Sequence, residues 1–210
     1  MKIRTTVTLA AATVLLLGTG TAAATARWSP HPYEIKPILP AGSTNPAIAD
    51  GVALGKQVAT YTASGLGPAA ANPAAPADSP ERYVDFPGGA LPPGVTVTEA
   101  QAINALKRIK ANLAAAGLGL EDVVSMRAYL EKPPGAAAAD FAGWNRAYRQ
   151  FFANTDLASG QPVPVPLGTA PPAPPLEVNP ARPARVTIEI ANLPVAGWLV
   201  EVEVAAAYKR

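Results

Sequence analysis

The stretch Pro183-Ala-Arg-Val-Thr-Ile-Glu-Ile-Ala-Asn-Leu-Pro194, followed by Leu199-Val-Glu-Val-Glu-Val-Ala-Ala206, decides the architecture. Val186, Ile188 and Ile190 alternate with Thr187 and Glu189, and Val200, Val202 and Val204 alternate with Glu201, Glu203 and Ala205. A period of two, rich in β-branched residues, marks strands with one apolar face. Pro194 and Gly197 between the two runs predict a turn.

Upstream, Val123 to Leu130 repeats the alternation, with Val124, Met126, Ala128 and Leu130 on one side. Two helical patterns bracket this strand. In the first, Thr98 and Gln101 form a capping-box pair, Ile103, Leu106, Ile109 and Leu113 recur on one stripe, and Gly117 supplies the C-terminal stop. In the second, Asp140 caps a run that places Phe141, Trp144, Tyr148 and Phe151 on one side. Residues 51–65 read as a strand pair with its turn near Gly55-Lys56. The element order is β-β-α-β-α-β-β, an α+β domain in which two helices cover one face of one mixed sheet. The other face, assigned Arg127, Tyr129, Thr187, Glu189, Glu201 and Glu203, is either solvated or buried against further copies of the chain.

The 24 prolines cluster in residues 28–46, 68–93 and 162–183. Proline lacks a backbone donor and disfavours helix in the preceding residue, so these stretches are an arm and two long loops. At the N-terminus, Lys2 and Arg4 precede the apolar run Val7 to Leu17, and small residues lead to Ala24-Thr25-Ala26. This is the pattern of a secretory signal, residues 1–26, with cleavage after Ala26. The expected organisation is that signal, a proline-rich arm over residues 27–47, and one domain over residues 48–210 with long loops at about 68–96 and 155–184. The expected location is the periplasm or the outside of the cell, with no membrane attachment once the signal is removed.

Composition removes several kinds of chemistry. There is no cysteine, hence no disulfide, thiol nucleophile or cysteine-ligated metal. A formal net charge of +2 without any Lys/Arg run interleaved with aromatics gives no case for nucleic acid. His31 is the single histidine and lies in the proline-rich arm, so a serine triad has no framed base.

The order of elements, with three stretches of sequence, resembles the RidA/YjgF family. The stretches are Ala63-Ser-Gly-Leu-Gly-Pro68; residues 98–152, containing Ala115-Ala-Gly-Leu118, Asp122-Val-Val124 and Asp140-Phe-Ala-Gly-Trp-Asn-Arg-Ala-Tyr-Arg-Gln-Phe-Phe152; and the strand pair quoted first. The family reads Pro-Ala-Arg, a strand, Leu-Pro, then a Val-Glu-Ile-Glu strand. The resemblance implies a chorismate-mutase-like fold and a homotrimer whose sheets form a central barrel, with ligand clefts between subunits. It further implies hydrolytic deamination of small enamines or imines related to 2-imino acids, giving the oxo acid and ammonia, without metal or bound cofactor.

By the same resemblance, Arg185 matches the arginine that holds the substrate carboxylate, and Glu201 the glutamate that positions or activates water. Thr187 stands where many members have cysteine. Ser64 and Gly65 match the cleft-lining turn, and Asn145 matches a helix position near the cleft. The chemistry suits these residues: guanidinium is a permanently charged planar fork, and imine hydrolysis needs a proton shuttle. A competing role for Arg185 is an ion pair with Glu201 or Glu203, and Glu203 reads first as a subunit contact. Ile48 stands where many members have a tyrosine, leaving Tyr33 or Tyr61 as alternative sources of a hydroxyl. Two further readings share the fold: a non-catalytic small-ligand-binding or chaperone-like trimer, and hydrolysis of another C–N bond.

Overall fold

The computed structural model describes residues 28–209; the signal expected over residues 1–26 lies outside them. The strands are β1 (Ile35–Ile38), β2 (Gly51–Leu54), β3 (Thr60–Thr62), β4 (Val123–Glu131), β5 (Ala184–Ile190) and β6 (Val200–Ala207). The helices are α1 (Val97–Ala115) and α2 (Phe141–Arg149). β3, β6, β4 and β5 form a four-stranded mixed sheet in that order. β4 and β5 are parallel, joined by α2, and the other pairs are antiparallel.

Residues 51–65 do contain two strands, but they do not pair with each other. β2 pairs with β1, which arises within the proline-rich arm, while β3 pairs with β6. Short apolar runs carry no information about their partners, and a plausible turn at Gly55-Lys56 suggested a hairpin that long-range pairing overrides. A parallel bridge from Ala49 to Ala184 fastens this two-stranded ribbon beside β5.

α1 begins two residues earlier than the sequence suggested. Thr96, not Thr98, is the cap, and its hydroxyl accepts from the Glu99 amide at 3.1 Å. Both Thr96–Glu99 and Thr98–Gln101 satisfy the capping-box spacing. Glu99 is wholly buried and receives Arg146 at 2.8 Å and the Gly168 amide at 2.9 Å. The far end closes as expected. Gly117 takes φ +73°, and the Leu118 amide returns to the Leu113 carbonyl at 2.9 Å.

The core lies between the two helices and the sheet. Ile103, Leu106, Ile109 and Leu113 of α1 and Trp144 and Tyr148 of α2 pack on Met126, Ala128, Leu130, Val200, Val202 and Val204. Each such valine, leucine, isoleucine or methionine, fully buried, contributes about 1.5–3 kcal/mol. Asp140 caps α2 as expected, accepting from the Gly143 amide at 2.7 Å.

Buried amide side chains tie down the proline-rich loops. Proline segments are rich in carbonyls and poor in donors, so their burial needs donors from elsewhere. Gln101 donates to the carbonyls of Pro80 and Gly197 and accepts from the Leu199 amide. Asn104 brackets Ala69 and donates to Tyr83. Gln150 reaches the Pro166 carbonyl, and Arg182 donates to the carbonyls of Pro46, Pro180 and Thr155. Among the described residues, no helix is long and apolar enough to cross a membrane.

Candidate functional site

Register places the candidate residues on the two faces of the sheet. Arg185 is paired with Met126 and Thr187 with Ala128, both buried positions of β4. Arg185, Thr187 and Glu189 therefore belong to the helix-covered face, contrary to the sequence assignment of Thr187 and Glu189 to the open face. Direct contacts agree: Trp144 Nε1 donates to Thr187 Oγ1 at 3.1 Å, and the Ala139 amide donates to Glu189 Oε2 at 2.9 Å. Alternation fixes which residues share a side but not which side meets the helices. On this edge strand the polar set takes that side, because Trp144 of α2 and the Ala139 amide ahead of it supply donors.

The open face consequently carries Val186 and Ile188, which are 44% and 42% exposed in the single chain. Beside them lie Arg127, Tyr129, Glu201 and Glu203, since Glu201 is paired with Tyr129 and Glu203 with Arg127. Glu203 meets Arg127 at 3.4 Å and accepts from the Tyr129 hydroxyl at 3.3 Å. The expected alternative of an ion pair between Arg185 and Glu201 or Glu203 within one chain does not form; the sheet separates them.

On the helix face, Arg185 is half-buried. Its guanidinium lies 4.2 Å from the centre of the Tyr148 ring and 6.0 Å from that of Trp144. Nη2 donates to Asn145 Oδ1 at 2.7 Å, while Nη1 is buried without a hydrogen-bond partner. Burial depresses the Arg185 pKa, yet no carboxylate neutralises it. A cavity of about 240 Å³ at the start of β5 is lined by Arg185, with Ala49, Asp50, Met126 and Ala184, and also by Ser125, Arg127 and Val186 at the edge of the open face. A charged donor left unmatched beside a cavity calls for an anionic acceptor, and a planar fork suits a carboxylate.

Tyr148 was legible only as a core aromatic, yet it forms the floor under the guanidinium. Its hydroxyl donates to the Ala47 carbonyl at 2.8 Å, next to Ile48. Tyr61 instead bonds Asn112, and Tyr33 lines a separate cavity, so neither supplies a hydroxyl beside Arg185. That separate cavity, about 470 Å³ between the β1–β2 ribbon and the start of β4, is larger. Its cations are already committed, Arg182 to three carbonyls and Lys209 to Asp122, which leaves no free charge to orient a small acid.

On the open face, Glu201 packs against Gly65, where a Cβ would collide with its Oε1. Burial first, and the charge of Glu203 second, raise the Glu201 pKa. Ser64, exposed beside Gly65, makes no hydrogen bond within the described chain. Two half-sites result: Arg185, Asn145, Thr187 and Tyr148 on one face, and Glu201, Gly65 and Ser64 on the other. Among the described residues, no cluster of three or more metal-ligating side chains is assembled.

Comparison with known proteins adds the following. The family model described as endoribonuclease L-PSP matches residues 89–208, more than half of the chain. No curated protein matches. Among solved structures, the chain is similar to the Rid-family protein YyfB of Yersinia pestis, at 18% identity and a TM-score of 0.46 over 83% of this chain and 98% of that one. It is also similar to the Escherichia coli YjgF gene product, at 24% identity and a TM-score of 0.42 over 86% and 100% of the two chains. A third is Escherichia coli TdcF with bound serine, at 22% identity and a TM-score of 0.41 over 83% and 100%. With the family match spanning both helices, β4 and the strand pair that carries Arg185 and Glu201, the chain belongs to the endoribonuclease L-PSP family, the RidA/YjgF family that its sequence resembles.

Proposed function

We propose that this protein hydrolyses small imines or enamines that carry a carboxylate, giving the oxo acid and ammonia. The observation that carries this reading is the half-buried Arg185, which lines a cavity and whose Nη1 has no hydrogen-bond partner. The carboxylate lies on the Arg185 fork and so holds the C=N carbon in one place. Water adds to that carbon. Glu201 takes the proton and passes it to nitrogen, and the C–N bond of the resulting carbinolamine breaks to release ammonia. Water is the only co-reactant. A positioned carboxylate contributes roughly 10²–10⁴-fold to such proton transfers.

The site is completed between subunits of a homotrimer, with the Arg185 half-site of one facing the Glu201 half-site of the next. Exposed Val186 and Ile188 support this reading, as a sheet face of this kind favours association. The sequence of the first residues supports export, so the substrate is one met outside the cytosol. The family's name refers to RNA cleavage. The sequence carries no Lys/Arg run interleaved with aromatics that would track a phosphate backbone.

The test generates 2-iminopropanoate in situ and follows its decay with purified mature protein. Acceleration lost in Arg185→Ala supports the reading. Binding of small acids without acceleration of any imino acid tried would replace it with the ligand-binding trimer.

A further inference from the structure

Arg146, Arg182 and Arg185 are held in three different ways. Arg182 is buried and spends Nε, Nη1 and Nη2 on the carbonyls of Pro46, Pro180 and Thr155. Arg146 is committed to the buried Glu99 carboxylate at 2.8 Å. Arg185 has a single hydrogen-bond partner among the described residues, the neutral Asn145 Oδ1 at 2.7 Å, and its Nη1 is buried without one. What offsets the desolvation of Arg185 is aromatic: its guanidinium carbon lies 4.2 Å from the centre of the Tyr148 ring. A π-face stabilises a cation through its quadrupole, and unlike a carboxylate it does not neutralise the charge.

The ring is itself locked. Tyr148 is wholly buried, its hydroxyl donates to the Ala47 carbonyl at 2.8 Å, and it stacks on Phe152 with ring centres 5.3 Å and planes 10° apart. Burial raises the phenol pKa against the opposing pull of Arg185, Arg149 and Arg182, so the hydroxyl stays protonated as a donor. Trp144 stands beside it, 6.3 Å from Tyr148 and 6.0 Å from the guanidinium. Its bond to Thr187 fixes it to the strand that carries Arg185. Ala47 lies two residues before Ala49, which lines the Arg185 cavity. Ring, arginine and cavity wall form one connected unit.

We propose that Tyr148 is the positioning residue of this half-site: its ring seats the Arg185 guanidinium and keeps both the positive charge and Nη1 for a carboxylate ligand. This rests on the reading of Arg185 as the carboxylate anchor. Without the ring, the guanidinium would turn to solvent or to a backbone carbonyl, as Arg182 has done, and either outcome leaves the ligand a less organised partner.

The test uses pyruvate, the oxo acid that the proposed reaction would release from 2-iminopropanoate, in calorimetric titrations of the purified protein and of two variants. Tyr148→Leu should lose about tenfold in affinity, and Tyr148→Phe, which keeps the ring, should retain most of it. Phenylalanine fluorinated stepwise on its ring and incorporated at position 148 alone keeps nearly the same size and weakens the π-face. Affinity should fall stepwise along that series while the urea midpoint stays close to that of Tyr148→Phe. The series also decides the matter should the leucine variant fail to fold. Affinity unchanged across the fluorinated series, or a folded Tyr148→Leu that binds pyruvate as the unaltered protein does, overturns the proposal and leaves Tyr148 a core residue. No pyruvate binding by the unaltered protein, or binding indifferent to Arg185→Ala, instead removes the anchor reading, and the proposal with it.

Discussion

Arg185 and Glu201 stand on adjacent stretches of sequence but on opposite faces of one sheet, Arg185 in register with buried Met126 and Glu201 with Tyr129. The proposed chemistry, which uses both side chains, therefore requires two copies of the chain. Arg185→Ala and Glu201→Gln should each be inactive alone. Co-expressed at equal levels, they should recover about a quarter of wild-type activity, because that share of interfaces pairs an intact arginine with an intact glutamate. Absence of any recovery in mixed oligomers, checked by native mass spectrometry, would place the chemistry within one chain.

The open face predicts its own disruption. Ile188→Asp inserts a charge into a surface that is apolar and 42% exposed in the single chain. If the proposed trimer forms through this face, sedimentation should show monomers that keep a native circular dichroism spectrum, since Ile188 is not in the helix-covered core, and the proposed deaminase activity should disappear with the trimer.

The acid limb of the rate profile follows from Glu201. Burial and Glu203 raise its pKa, so the ionised base is lost at a higher pH than for an ordinary glutamate, near 4.3. As pH falls, kcat/KM should decline from above that value. Glu203→Gln removes the second cause and should move the limb to lower pH. The stability sign runs the other way. A carboxyl whose folded pKa is raised is stabilising in its neutral form, and that contribution is lost as pH rises through the folded pKa. Glu201→Gln should therefore raise Tm at neutral pH and have little effect in acid, as scanning calorimetry at the two pH values would show.

Glu99 is a stability residue and not part of the chemistry. It is fully buried, bonded to Arg146 and to the Gly168 amide. Glu99→Ala should cost about 3 kcal/mol, at the lower end for a broken buried pair because Arg146 is partly solvated. Urea unfolding at fixed protein concentration would measure it, and ligand affinity in the folded fraction should change little.

Export is checked directly. Protein recovered from the periplasm or medium should begin at Arg27 by mass spectrometry, and an intact residue 1 on the exported protein would refute cleavage after Ala26.

The sequence by itself determined the elements and their order. Strand alternation in residues 184–207, the aromatic spacing of α2 and the stop at Gly117 are local signals, and local geometry obeys them. It also named Arg185, Asn145, Glu201 and Gly65, and two contacts join them, Arg185 to Asn145 and Glu201 to Gly65. Tertiary structure alone decided which strands pair, which side of β5 meets the helices, and that Tyr148 lies under the arginine. Those outcomes depend on burial and hydrogen-bond satisfaction across distant segments. Alternation says which residues share a side, while the donors offered by Trp144 of α2 and the Ala139 amide ahead of it favour the threonine side of β5 turning inward, which leaves valine and isoleucine facing out.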